Sequence, residues 1–257
     1  MLSQPLDILA IAAHRDDVEQ TCGGTLLKAA QRGQRTGILD LTQGEMGTRG
    51  TAEDRAREAA DAARILGAGW RRALDIPDGR VENTWENRLK VASVIRETRP
   101  RLVILPYWKG RHPDHYTTSV LGYEACFLAG LSKLDSSAAV PSTNSVQTTS
   151  APGGKLAPHR PYKIIYATLY YDVRPTFVVD ITDQFEQKFA SILAYKSQFS
   201  DQEAGKDLFP AHAEIRARVD SMARYYGALG GTKYAEPFLQ KEVGLVEDLL
   251  SIPVKSI

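Results

Sequence analysis

Four times in its first half this chain passes from a short apolar run to a helical pattern, and that alternation leaves few folds open to it. Leu6 to Ala13 is almost continuously apolar, as a strand covered on both faces must be. A helical segment follows to about Arg32 and stops at Gly33, with Gly23-Gly24 near its start. Thr36–Thr42 is a second strand, and Thr51 with Asp54 three residues on is a capping pair for a helix ending at Leu66-Gly67. Ala73–Ile76 reads as a third strand before the turn Pro77-Asp78-Gly79. Trp85, Leu89, Ala92 and Ile95 recur at helical spacing up to Pro100, Arg101–Pro106 is a fourth strand, and a helix runs from about His115 to Leu128. The pattern predicts a Rossmann-like three-layer α/β/α fold, with a mostly parallel sheet and right-handed crossovers.

The second half is less regular. Asp135–Pro158 is rich in Ser, Thr, Pro and Gly and nearly uncharged, which predicts a mobile insertion or an elaborated lid. Beyond it, Tyr162–Tyr170 and Thr176–Asp180 read as strands, and Thr182–Ser197 and Ala213–Leu229 as helices. Residues 1–257 are therefore expected to form one domain, with 162–257 a small C-terminal extension that completes it.

Composition excludes several partners. A formal charge of +1 gives no general electrostatic case for nucleic acid or an anionic membrane. No apolar stretch approaches the roughly 20 residues of a membrane span. The N-terminus lacks the basic and apolar segments of an export signal, so a cytoplasmic location is expected. Cys22 and Cys126 are too few for a disulfide framework and are expected to be buried and reduced.

The chemistry is concentrated in two short segments. Ala13-His14-Arg15-Asp16-Asp17 follows the first strand, and His112-Pro113-Asp114-His115 follows the fourth. In a Rossmann-like order those strands are neighbours, and ligands bind beyond their carboxyl ends at the switch point. Two histidines and a carboxylate can hold one divalent metal, leaving another carboxylate to act as a base. Such donors suit zinc, though ferrous iron, manganese and cobalt share the preference. With no cysteine in either motif, a closed structural zinc site is disfavoured. Gly23-Gly24 has neither G-x-G-x-x-G spacing nor a Walker lysine, so close helix packing explains it better than a phosphate cradle. The loop Gly44–Gly50 points to the same crevice.

These motifs resemble the PIG-L/LmbE family of metal-dependent N-acetylglucosamine deacetylases. The resemblance extends to a subgroup similar to the bacillithiol-biosynthesis deacetylases, which act on N-acetylglucosaminyl-malate. It rests there on Gly44–Gly50, Ile76–Gly79, Pro158–Pro161, Phe177–Thr182 and Ala194–Phe199. It implies metal ligation by His14, Asp17 and His115, with Zn2+ or another divalent metal such as Fe2+. Asp16 matches the general base, His112 a second catalytic group, and Asp114 a residue that orients a histidine. Asp78 matches a sugar-binding acid, while Arg49 and Arg111 are candidates for substrate contacts. Arg15 stands where the family has proline, which leaves the placement of Asp16 open. The expected substrate is an amino sugar and the expected assembly a homo-oligomer, hexamer or dimer. Deacetylation of another N-acetylglucosamine conjugate or a chitooligosaccharide is the alternative activity. A sugar- or nucleotide-binding module without hydrolysis is the alternative from another class.

Overall fold

The computed structural model describes residues 4–134, 156–170, 172–200 and 211–254. The first apolar run becomes β1 (Ile8–Ala12), followed by α1 (Asp17–Gln31), β2 (Thr36–Asp40) and α2 (Ala52–Ile65). Then come β3 (Trp70–Ala73), α3 (Trp85–Thr98), β4 (Leu102–Pro106) and α4 (Pro113–Ala129). The second half adds β5 (Lys163–Ala167), β6 (Phe177–Asp180), α5 (Phe185–Leu193), α6 (Lys196–Phe199), α7 (His212–Gly230) and β7 (Ala235–Leu239). Seven strands form one sheet in the order β3-β2-β1-β4-β5-β7-β6. The first five are parallel, and β7 runs antiparallel between β5 and β6.

Alternation along the strands divides the core. Leu9 and Ile11 of β1 join Leu39, Val103 and Leu105 against Val91, Val94 and Ile95 of α3 and Leu121 and Ala125 of α4. Ala10, Ala12, Ile38 and Ile104 face the other way, onto Val18, Leu26 and Leu27 of α1. The sheet is thus covered on both faces, and β1 and β4 pair directly, Ile8 with Leu102. The carboxyl ends of β1 and β4 therefore lie side by side, and both histidine motifs follow from them.

Four expectations need correction. The third strand is Trp70–Ala73 rather than Ala73–Ile76, because Arg71 and Arg72 occupy its middle and hide it from any search for an apolar run. The helix expected at Thr182–Ser197 is broken into a 3-10 turn, α5 and α6. Strand β7 was not anticipated, since Glu236 and Pro237 sit within it. Its ladder to β5 covers only Leu239 and Phe238, so the missing N–H of Pro237 costs no bond on that side. Fourth, α4 begins at Pro113, with His112 as its N-cap, rather than at His115. The insertion expected at Asp135–Pro158 lies, up to Lys155, outside the described residues. Cys22 and Cys126 are buried and free, as expected.

Candidate active site

β1 ends at Ala12 and α1 begins at Asp17, so the four residues between them must reverse the chain at the carboxyl end of the sheet. Asp16 makes the turn in a left-handed conformation (φ 107°, ψ −21°), which a non-glycine residue adopts only when its surroundings hold it there. Two arginines do so. Arg15 is buried and donates from Nη1 to the Ala52 carbonyl at 2.7 Å. Arg55, in the first turns of α2, donates to the carbonyl of Arg15 and reaches Asp16 Oδ1 at 3.3 Å. The arginine in the family's proline position therefore ties the turn to α2 instead of pointing to solvent. Gly44 completes the clamp. It has φ +73°, and a Cβ there would lie 2.8 Å from Arg55 Nη1.

Behind this turn, donor atoms of three residues converge. His14 Nδ1 is 3.2 Å from His115 Nε2 and 3.4 Å from Asp17 Oδ2, and His115 Nε2 is 3.2 Å from Asp17 Oδ1. Ligands held ~2.0–2.1 Å from one tetrahedral ion lie about 3.3–3.4 Å apart, so the spacings among these three residues suit a shared metal. The far side of the His14 ring meets Asp114 Oδ2 at 3.2 Å and Asp78 Oδ1 at 3.1 Å. Asp114 is itself fixed by amides of Gly79 (2.8 Å) and Val81 (3.1 Å). An imidazole anchored through Nε2 presents Nδ1 to a metal, the usual support for a histidine ligand. His112 belongs to the same cluster, its ring stacked on His115 at 4.7 Å. Its Nδ1 accepts the Asp114 amide at 3.3 Å, so in the neutral ring Nε2 carries the proton.

Electrostatics show what this pocket attracts. Burial opposes charge on His14, yet hydrogen bonds to Asp114 and Asp17 overcome it and push its pKa up to about 12. Burial would likewise raise Asp17, but the neighbouring His115 and His14 hold it well below the carboxylate range. So many acidic oxygens around one imidazole make a trap for positive charge, and a divalent cation fits these donors. Asp16 differs. Burial raises its pKa to about 7, with Arg55 opposing and Asp17 assisting, so it is poised to exchange a proton near neutrality. Burial and the two other imidazoles hold His112 below its ordinary value.

The remaining sequence candidates separate. Asp78 lies in the cluster, and its Oδ2 accepts the Met46 amide at 3.0 Å, so it joins the Gly44–Gly50 loop to His14. Arg111 is exposed on the loop between β4 and α4, its amide bonded to Tyr170 Oη at 3.1 Å. Arg49, expected as a substrate contact, faces inward. It is buried and donates to the carbonyls of Gln198 and Ser200 at 3.2 and 3.3 Å, pinning its loop to α6. Sequence reasoning missed Arg55, which carries no signal of its own in a helix rich in charged residues. It also missed a buried group below the turn, in which Arg71 binds Asp40 bidentately (2.8 and 2.9 Å) and Glu19 at 2.6 Å.

The phosphate-cradle reading is closed off directly. α1 is interrupted at Cys22 (φ −142°, ψ 18°) and continues beyond it. The amides of Gly24 and Thr25 there already bind the Glu236 carboxylate, at 2.8 and 2.7 Å. Gly24 is also pressed against Ile181, where a Cβ would come within 2.9 Å.

Known proteins resemble this chain in sequence and in fold. The family described as GlcNAc-PI de-N-acetylase (PIG-L) matches residues 9–126, which hold both histidine motifs. The diacetylchitobiose deacetylase of Thermococcus kodakarensis is 31% identical over 240 residues, 89% of this chain and 80% of that protein. Among solved structures, the conserved protein TT1542 of Thermus thermophilus superposes with a TM-score of 0.76 at 39% identity, covering 94% of this chain and 98% of its own. The N,N'-diacetylchitobiose deacetylase of Pyrococcus horikoshii gives 0.74 at 26% identity, covering 90% and 82%. With the fold, the two motifs and a relative of that identity and coverage in agreement, this chain belongs to the PIG-L family.

Proposed function

We propose that this protein hydrolyses the N-acetyl group of an N-acetylglucosamine-containing substrate, releasing acetate and a free amine. The observation that carries the reading is the cluster of His14, Asp17 and His115 donors beside the half-buried Asp16 carboxylate. His14, Asp17 and His115 would hold a divalent metal, zinc by the preference of two imidazoles and a carboxylate, which would supply a water of lowered pKa and polarise the acetyl carbonyl. Asp16 accepts the proton of the attacking water and returns it to the sugar nitrogen as the C–N bond breaks. His112 directs its Nε2–H at the oxygen on which charge develops, and as a neutral ring it does so without adding a further cation to the cluster. Asp114 and Asp78 keep His14 oriented throughout.

The similarity to chitobiose deacetylases supports an N-acetylglucosamine oligosaccharide better than it supports N-acetylglucosaminyl-malate, which rests on the softer segments alone. Acetate release should therefore be measured on N,N'-diacetylchitobiose, N-acetylglucosaminyl-malate and free N-acetylglucosamine side by side, with metal content determined in parallel. Release from the disaccharide well above that from the malate conjugate is expected. A metal-loaded protein that releases acetate from none of them would overturn the hydrolase reading.

A further inference from the structure

α4 has two apolar faces. Leu121, Ala125 and Cys126 are buried against the sheet, whereas Tyr116, Val120, Tyr123 and Phe127 follow one another at steps of four, three and four and are all exposed. That is the spacing of a seam meant to meet another surface. Beside Tyr123 and Phe127 a cleft of about 720 Å³ opens between α4, β5 and the chain that leaves β7.

That chain is an arm. Every described residue from Lys241 to Val254 is exposed, including Val243 (98%), Leu245 (92%) and Leu250 (94%). Its root is fixed, because the Lys241 ammonium sits 4.7 to 4.9 Å from the ring centroids of Tyr166, Trp108 and Tyr123. The arm thus crosses the mouth of its own cleft from an anchored point while its apolar side chains face solvent. Twelve of the sixteen large apolar side chains exposed among the described residues lie on the α4 seam, on Tyr162 beside it, or on this arm. So large an apolar surface marks a contact with another molecule.

We propose that the arm is exchanged between two copies of this chain, residues 246–254 of each lying along the α4 seam and in the cleft of the other. Charge agrees with that occupant. The arm carries Glu247 and Asp248, and the cleft wall carries Arg160 and Lys163 beside Glu242, while its Glu124 is paired with Arg88 at 2.7 Å. Donor and acceptor surfaces are both present on one chain, as a closed two-fold interface requires. An extended segment of that length reaches up to ~30 Å, enough to supply its share of the roughly 800 Å² that an ordinary interface buries per partner.

Sedimentation velocity of the full chain at ~10 μM (near the middle of the μM affinity range) tests the proposal. The wild type is expected to sediment as a dimer or a multiple of one. Phe127→Asp and Leu250→Asp, both at exposed positions, are each expected to weaken association at least tenfold while circular dichroism and Tm stay those of the folded protein. Mixing the two variants should restore part of the association, because one intact cleft then meets one intact arm. A monomeric wild type would overturn the proposal, and so would a Leu250→Asp chain that associates like wild type. A mixture that stays monomeric while both variants remain folded would also overturn it.

Discussion

Asp16 is held in a backbone conformation that costs of order 1–3 kcal/mol for a residue with a Cβ, and its side chain sits between a cation trap and the Arg55 guanidinium. Asp16→Asn keeps the shape but not the basicity, so metal content should stay near wild type while turnover falls about 10²–10⁴-fold. His14→Ala or His115→Ala should instead lose metal first, which elemental analysis separates from the activity assay. Arg55 favours the ionised form of Asp16, and only that form accepts a proton from water. Removing the guanidinium in Arg55→Met therefore raises the Asp16 pKa, and the acid limb of the kcat/KM profile should move to higher pH. An unchanged limb in a folded, metal-loaded Arg55→Met protein would remove Arg55 from this role. Arg49 calls for a different expectation. Its truncation leaves buried carbonyls without their donor, at about 1–3 kcal/mol, so Arg49→Ala should lower the urea midpoint and reduce kcat/KM equally on charged and uncharged substrates. A loss confined to the malate conjugate would restore it as a carboxylate contact.

At the scale of elements, what could be read in advance was whatever is local. The α2 cap is an example: Thr51 and Asp54 satisfy each other within one turn, and the observed capping box follows from their spacing. The helix pattern over Trp85–Thr98 and the pairing of β1 with β4 were readable for the same reason, periodicity and topology rules needing no distant partner. β3 and β7 were not readable. Arg71 is tolerable in a strand because Asp40 and Glu19, 31 and 52 residues away, neutralise it. Glu236 is tolerable in β7 because it caps the restart of α1, 212 residues earlier, and binds Lys188 at 2.6 Å. The metal donors were legible as motifs, whereas the clamp on Asp16 was not, since Arg55 looks like any helix-surface arginine until the turn is built. Glu236→Ala exposes both dependencies at once. It removes the cap and strands a buried ammonium, a loss of about 3–5 kcal/mol by comparison with other broken buried pairs. Glu236→Gln, which keeps a hydrogen-bond acceptor at the cap, should lose less, and equilibrium urea unfolding measures both.

Across the whole molecule, the cation site is a property of the fold rather than of any segment. His14 and His115 are separated by 101 residues, and their nitrogens meet because β4 docks beside β1 at the centre of the sheet. A ligand that binds only the native state at 100 times its Kd adds ~2.7 kcal/mol, so stripping the metal with a chelator should lower Tm by roughly 5–10 °C, and adding zinc back should restore it. A chelator-treated protein that melts at the untreated temperature would show that the donors are already balanced among themselves. The same separation has a kinetic side. The two halves of the site do not meet until a loop of about a hundred residues has closed, a step whose entropy is lost before any contact repays it. Metal capture during refolding would then act as a stopwatch on the sheet itself, starting only when its two central strands have found each other.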